Sequence, residues 1–348
     1  MAMKAAVLRD IGKMAIEEVP EPPLEPGGLL IAVRACAICG SDLRTLWHGN
    51  AHVKPPRILG HEVVGMILQV GTGVSGYQVG ELVAVAPAIG CGECAYCRAG
   101  STNMCANLET IGLDFDGGFA ELMAVPAKAV RGGHVNKVPS DFPVEQAVLA
   151  EPLACCINGQ NPLGIGLGQS VAVIGAGAIG LFHAELALLK GAARVFLADL
   201  VAERLEYVSR LGKNLITIDS SKTDLVAEIS ARTGGDGVDV AIVACPVGEA
   251  QNQALRMVRR RGRVSLFGGL PPERSTGYLD SNLIHYKEIG VFGAYASTPA
   301  QNRLALSLLT ARRIEAGRYV THVFPLERIM EGMNVIKEGK GLKVIIKP

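Results

Sequence analysis

The feature that most constrains this chain is a four-residue apolar run, residues 171–174, leading into Gly175-Ala176-Gly177-Ala178-Ile179-Gly180. A helical pattern over 178–190 follows, so the segment reads as a buried strand turning sharply into a helix. Gly175 allows the tight turn, Gly177 lets backbone approach a pyrophosphate, and Gly180 lets the helix pack against the strand. The N–H groups of the first helical turn, where Ala178 and Ile179 lie, have no intrahelical partner and suit phosphate. A second apolar run, 195–198, ends at Asp199, 24 positions after Gly175. A carboxylate there accepts hydrogen bonds from a free ribose and repels a 2′-phosphate, which favours NAD over NADP. Arg204, five residues on, reads either as a neighbour of the adenosine or as a solvated helix arginine.

The pattern continues after this unit. Apolar runs at 215–218, 240–243, 264–267 and 289–292 alternate with helical stretches such as 202–211. Buried runs separated by helices argue for a doubly wound parallel sheet. From residue 4 to about 152 the texture is different. Short β-rich runs at 5–8, 30–34, 63–70 and 82–85 are separated by turns such as Glu25-Pro26-Gly27-Gly28, Gly71-Thr72-Gly73 and Asp116-Gly117-Gly118. This is the signature of an irregular, mainly antiparallel β domain. After residue 293 come helices over 299–310 and 326–339 and a strand at 343–346, which is expected to return to the first domain. The expected domains are therefore 1–152 with 295–348, and 153–294.

At 348 residues, two domains are the default. With 34 basic and 33 acidic side chains the net charge is +1, so neither nucleic acid nor an anionic membrane is an expected partner. Arg259-Arg260-Arg261 reads as a solvated helix end. The start carries no apolar run with a cleavage site, and 171–182 is too short to span a bilayer. A cytoplasmic protein is expected, whose nine cysteines point to metal before disulfides.

Four of them, Cys91, Cys94, Cys97 and Cys105, are separated by two, two and seven residues. Four thiolates complete a tetrahedral Zn²⁺ and leave no open position, so this site staples a loop and does no chemistry. Cys36, Cys155, Cys156 and Cys245 have apolar neighbours and read as core. An open metal site needs about three protein ligands. The scattered candidates are Cys39 in Cys39-Gly40-Ser41-Asp42, His61 and Glu62 in Gly60-His61-Glu62, and Glu151 in Ala150-Glu151-Pro152. On spacing alone, a lone His beside Glu at a strand start is more often structural than a ligand.

Taken in this order, these motifs resemble the zinc-containing medium-chain dehydrogenases of the alcohol dehydrogenase superfamily, above all their sorbitol (polyol) and threonine dehydrogenase branch. The similarity runs over essentially the whole chain. It implies an α/β protein with a GroES-like β-rich catalytic domain, which carries two zincs, and a Rossmann NAD-binding domain. It implies Cys39 and His61 as ligands of the catalytic zinc, with Glu62 and Glu151 sharing the carboxylate role, one bound and one nearby. A Glu at 151, where ethanol-type enzymes place Cys, points to the polyol branch. Zinc lowers the pKa of a substrate hydroxyl, hydride passes to the nicotinamide, and Ser41 matches the family's proton-accepting hydroxyl.

Two departures bear on the substrate. Where many relatives extend the proton relay with His, this chain has Arg44, so the relay must end in water, the ribose or another group such as His48. Sorbitol dehydrogenases proper follow the last nucleotide-domain strand with Arg-Tyr, whereas here Gly293-Ala294 precede Tyr295. The expected substrate is a small polar secondary alcohol: a polyol, cyclitol or sugar derivative. The alternatives are L-threonine 3-dehydrogenase and, from other classes, a zinc-free quinone reductase-like protein or a non-catalytic NAD-binding regulator. Relatives imply a homo-oligomer, tetramer or dimer.

Overall fold

The computed structural model describes residues 2–209, 214–271, 275–277 and 279–348, those at 207–209 by their backbone. The chain divides into two units, Met1–Ala154 with Ala296–Pro348, and Cys155–Tyr295.

In the second unit, six parallel strands lie in the order Leu215–Asp219, Arg194–Asp199, Ser170–Ile174, Val238–Val243, Val258–Leu266 and Gly290–Gly293. The first strand in sequence is central and the order reverses beside it. Ligands of such sheets bind at that switch point, outside the carboxyl ends of the strands. Helix Ala178–Leu189 follows Ser170–Ile174 directly, and eight of its residues are buried, including His183. The core here joins Ile174, Phe196, Ile229, Leu255 and Val264. Each such side chain contributes about 1.5–3 kcal/mol by leaving water.

Arg259-Arg260-Arg261 does not end a helix. The run lies in strand Val258–Leu266, and the register slips between the pairs Val238–Val258 and Val240–Arg263. The extra residues leave the ladder, Arg261 adopts a positive φ of 58°, and Arg259 binds Asp239 at 2.8 Å. The arginines are solvated, as expected, through a bulge. The last part of the helix expected over 202–211 lies outside the described residues, which show Ala202–Ser209. The helix expected over 326–339 is a 3-10 turn, Leu326–Arg328, continued by an α-helix, Ile329–Lys337.

The first unit holds a seven-stranded sheet in which Leu29–Ala37 pairs antiparallel with Glu62–Val70 and with Lys343–Lys347. The terminal strand thus joins this unit. Alternation along Leu29–Ala37 and Glu62–Val70 sends Leu29, Ile31, Val33, Val63 and Ile67 into the core with Phe119 and Met333. No helix among the described residues is long and apolar enough to cross a membrane.

Candidate metal and dinucleotide sites

Register builds the first site. Ala37 stands opposite Glu62 on one side and Ile345 on the other. Cys39 lies two residues beyond Ala37, His61 one residue before Glu62, and Lys343 two residues before Ile345, so all four gather at one end of three neighbouring strands. Gly60 makes the entry to His61 with a φ of 94°, and a Cβ there would press on Cys36 and Phe119. Only glycine accepts that combination.

The ligand atoms of Cys39, His61 and Glu62 lie within 4.8 Å of one another. Asp42, almost fully buried, receives the backbone N–H of Cys39 at 2.9 Å and places Oδ1 3.3 Å from His61 Nδ1. That carboxylate fixes the ring so that Nε2 is the nitrogen left for a metal. Burial alone lowers the pKa of His61, but Asp42 and Cys39 outweigh it and raise it. Burial raises Cys39, and His61 together with Lys343 overcomes this and brings it down to about 7. A thiolate and an imidazole that gives up its proton to an incoming ion are the donor set of zinc. Ser41 Oγ is 3.5 Å from His61 Nε2.

Glu62 is fully buried, and Lys343 Nζ reaches its two oxygens at 2.5 and 2.6 Å. Burial works against both charges, pulling the ammonium down and pushing the carboxyl up, and each is offset by the other's charge: Glu62 holds the Lys343 ammonium above its ordinary value, and Lys343 counters the rise at Glu62. Neither Lys343 nor Asp42 was assigned a role from sequence. Lys343 is 281 positions from Glu62, and its signal was a lysine opening the apolar run 344–346. Glu151, in the first turn of helix Ala150–Gln160, stands outside the 4.8 Å group, while its charge acts on both Glu62 and Lys343. Arg44 and His48 lie one turn apart and exposed on helix Gly40–His48.

Cys91, Cys94, Cys97 and Cys105 converge, all Sγ within 4.8 Å and Cys91 4.0 Å from Cys97. A tetrahedral ion with metal–sulfur bonds of about 2.3 Å needs edges of about 3.8 Å, so the four thiols fit one. Backbone N–H groups of Cys91, Cys94, Cys97 and Asn107 donate to these sulfurs at 3.3–3.4 Å. Such bonds favour the thiolate form. Of the other cysteines, Cys36 and Cys156 are core, but Cys155 and Cys245 are half-buried. Cys245 lies past the carboxyl end of strand Val238–Val243, where the parallel sheet opens.

In the second unit Gly177 caps helix Ala178–Leu189, and Gly180 packs so closely on Gly175 that a Cβ would overlap its carbonyl oxygen. Asp199 Oδ2 accepts the N–H of Ala176 at 2.7 Å and Oδ1 that of Val201 at 2.9 Å. Each oxygen keeps a second lone pair. Arg204 stands 3.6 Å from Asp199. Exposed Leu200 and Val201 adjoin it, an apolar surface suited to a flat base that sequence reading passed over.

The chain matches the alcohol dehydrogenase GroES-like domain over residues 25–132 and the zinc-binding dehydrogenase domain over 178–311. It is 35% identical to L-threonine 3-dehydrogenase of Pyrococcus abyssi, with 94% of this chain and 93% of the relative covered. The chain belongs to the zinc-type alcohol dehydrogenase family. The dehydrogenase is 31% identical to sorbitol dehydrogenase of Halalkalibacterium halodurans, over 97% of this chain and 96% of that one. A zinc-binding dehydrogenase structure from Sinorhizobium meliloti, bound to NADP, superposes with a TM-score of 0.93 at 32% identity, covering 100% of both chains. A GroES-like domain joined to a Rossmann-type sheet is therefore the architecture of this enzyme, and zinc with a nicotinamide dinucleotide is its family's cofactor set.

Proposed function

We propose that this dehydrogenase oxidises a secondary alcohol of a polyol, cyclitol or sugar derivative with NAD, at a zinc ion held by Cys39, His61 and Glu151. The observation that carries the reading is the half-buried Cys39–His61 pair beside fully buried Glu62, braced by Asp42 and Lys343. Zinc there supplies Lewis acidity toward a substrate hydroxyl, and NAD supplies the hydride acceptor. Because Lys343 engages both oxygens of Glu62, Glu151 provides the bound carboxylate and Glu62 the neighbouring charge. Ser41, beside His61 Nε2, accepts the alcohol proton, and with Arg44 on the exposed face the proton leaves to water or the ribose. Cys91, Cys94, Cys97 and Cys105 hold a second, structural zinc. Gly175, Gly177, Ala178, Ile179 and Gly180 receive the pyrophosphate, Asp199 the ribose, and Arg204 flanks the adenosine.

The absence of Arg-Tyr after strand Gly290–Gly293 argues against sorbitol itself. A second reading, L-threonine 3-dehydrogenase, is favoured by the higher identity to the Pyrococcus enzyme. Initial rates of NAD reduction across polyols, cyclitols, sugar derivatives and L-threonine separate them. A kcat/KM at least tenfold higher for a polyhydroxylated substrate supports the first reading, and the reverse order establishes the second. About two zincs per chain, a preference for NAD over NADP, and a cytoplasmic dimer or tetramer belong to the same proposal. Metal analysis showing one zinc or none removes it.

A further inference from the structure

One residue along from Glu62, a small cavity of about 10 Å³ is lined by the polar side chains Asn136, Asn302 and Glu151 against an apolar wall that includes Val63, Ala147 and Val148. That volume is roughly what a single water requires, and a buried water needs two to four polar partners. Both asparagines are more than nine-tenths buried, at 7% and 3% exposure. Asn302 is already fixed: its Nδ2 donates to Ser297 Oγ at 2.9 Å and to the Thr298 carbonyl at 3.0 Å, which leaves Oδ1 as its group for another partner. Asn136 comes from strand Val135–Val138, which pairs with Leu82–Val85, the neighbour of Glu62–Val70. Two separate elements thus bring amides to the cavity that Glu151 also lines. Carboxylates that bind a metal are themselves hydrogen-bonded, and those outer partners govern metal affinity.

We propose that one water in this cavity, held by Asn136 and Asn302, is a positioning partner of Glu151, bound to its carboxylate on the side away from the metal ion. This rests on the reading of Glu151 as a ligand of the metal centre. Asn136 and Asn302 are then positioning residues, and they touch neither substrate nor cofactor.

The test uses the full chain loaded with Co²⁺ in place of zinc, with two readouts: the visible ligand-field bands, and the rate at which a chelator removes the active-site ion. Asn136→Leu replaces the amide by two methyl groups on the same branched skeleton, and Ala147→Val fills the cavity without removing a polar group. Both are expected to shift the bands and to speed metal release about tenfold or more, as Glu151→Gln does. Asn136→Leu placed on Glu151→Gln is expected to add less than twofold. A purely structural defect lowers Tm without moving the bands. If Glu151→Gln changes both readouts while Asn136→Leu and Ala147→Val stay within twofold of wild type, the water is not the anchor and this inference alone falls. If Glu151→Gln changes neither, the ligand assignment falls and takes the inference with it.

Discussion

Glu62 and Lys343 are stable in their buried place only as a pair. Each ion alone carries a desolvation penalty of several kcal/mol, and removing one partner of such a pair typically costs about 3–5 kcal/mol because the other charge is stranded. Lys343→Met is therefore expected to lower the unfolding free energy of its unit by about that amount in urea titrations of the metal-free protein. Glu62→Gln combined with Lys343→Met removes both charges and is expected to recover most of the loss. Equal destabilisation of the single and double variants would show that the two side chains do not act as a pair. Asp42 acts differently, through the ring of His61. Asp42→Asn keeps the shape but withdraws the charge that orients Nδ1, so metal affinity is expected to drop about 10–100-fold in chelator competition. An affinity within twofold of wild type would mean that packing alone orients His61.

Elements decide which of these residues meet, and the same elements explain what was legible in advance. The glycine turn, Asp199 and the four-cysteine lobe are local: the residues that do the work lie within a few turns of chain, so spacing reveals them. Lys343 meets Glu62 only because strands Lys343–Lys347 and Glu62–Val70 flank the same strand, Leu29–Ala37. Periodicity identifies three strands but says nothing about their order in a sheet, and so this partner stayed hidden. The bulge at Arg259–Arg261 escaped for a related reason, since a slipped register needs knowledge of the opposing strand. Asp42 was visible within its motif, yet a helix-start aspartate has an ordinary capping role that masked its second contact. Two predictions live at this scale. Gly180→Val forces helix Ala178–Leu189 off strand Ser170–Ile174 and is expected to weaken NAD binding at least tenfold by fluorescence titration, with the metal content unchanged. Cys94→Ser leaves three thiolates in the lobe, and zinc content is expected to fall by about one per chain while residues 91–107 become the first site of limited proteolysis. Retention of both zincs in that variant would mean that another ligand substitutes for Cys94.

At the scale of the whole molecule, acid attacks both units through buried histidines that have nothing to do with the metal. His134 lies in the first unit, its Nδ1 3.3 Å from the Ala86 carbonyl, and burial holds its pKa down to about 4. His183 lies in the second, on helix Ala178–Leu189, where burial, with a smaller effect from Lys190, holds it down to about 3. Gln160 Nε2 donates to His183 Nδ1 at 3.2 Å, so the ring proton sits on Nε2, which has no partner among the described residues. Both rings are neutral in the folded protein and take up protons near 6.5 once unfolded. The unfolded chain therefore binds more protons between about pH 6.5 and the folded values, and stability falls as pH is lowered through that window. It is fully present above 6.5, and the loss runs to about pH 4 for His134 and about pH 3 for His183, each on the order of a few kcal/mol. Calorimetry of wild type, His134→Gln and His183→Gln from pH 7 to pH 4 tests this. Metal ligands also protonate on that path, but their effect is common to all three proteins and cancels in the comparison. Each substitution is expected to flatten the pH dependence of the transition belonging to its own unit and to leave the other transition's slope unchanged. Parallel slopes in all three proteins would assign the acid sensitivity to the metal centres and carboxylates alone.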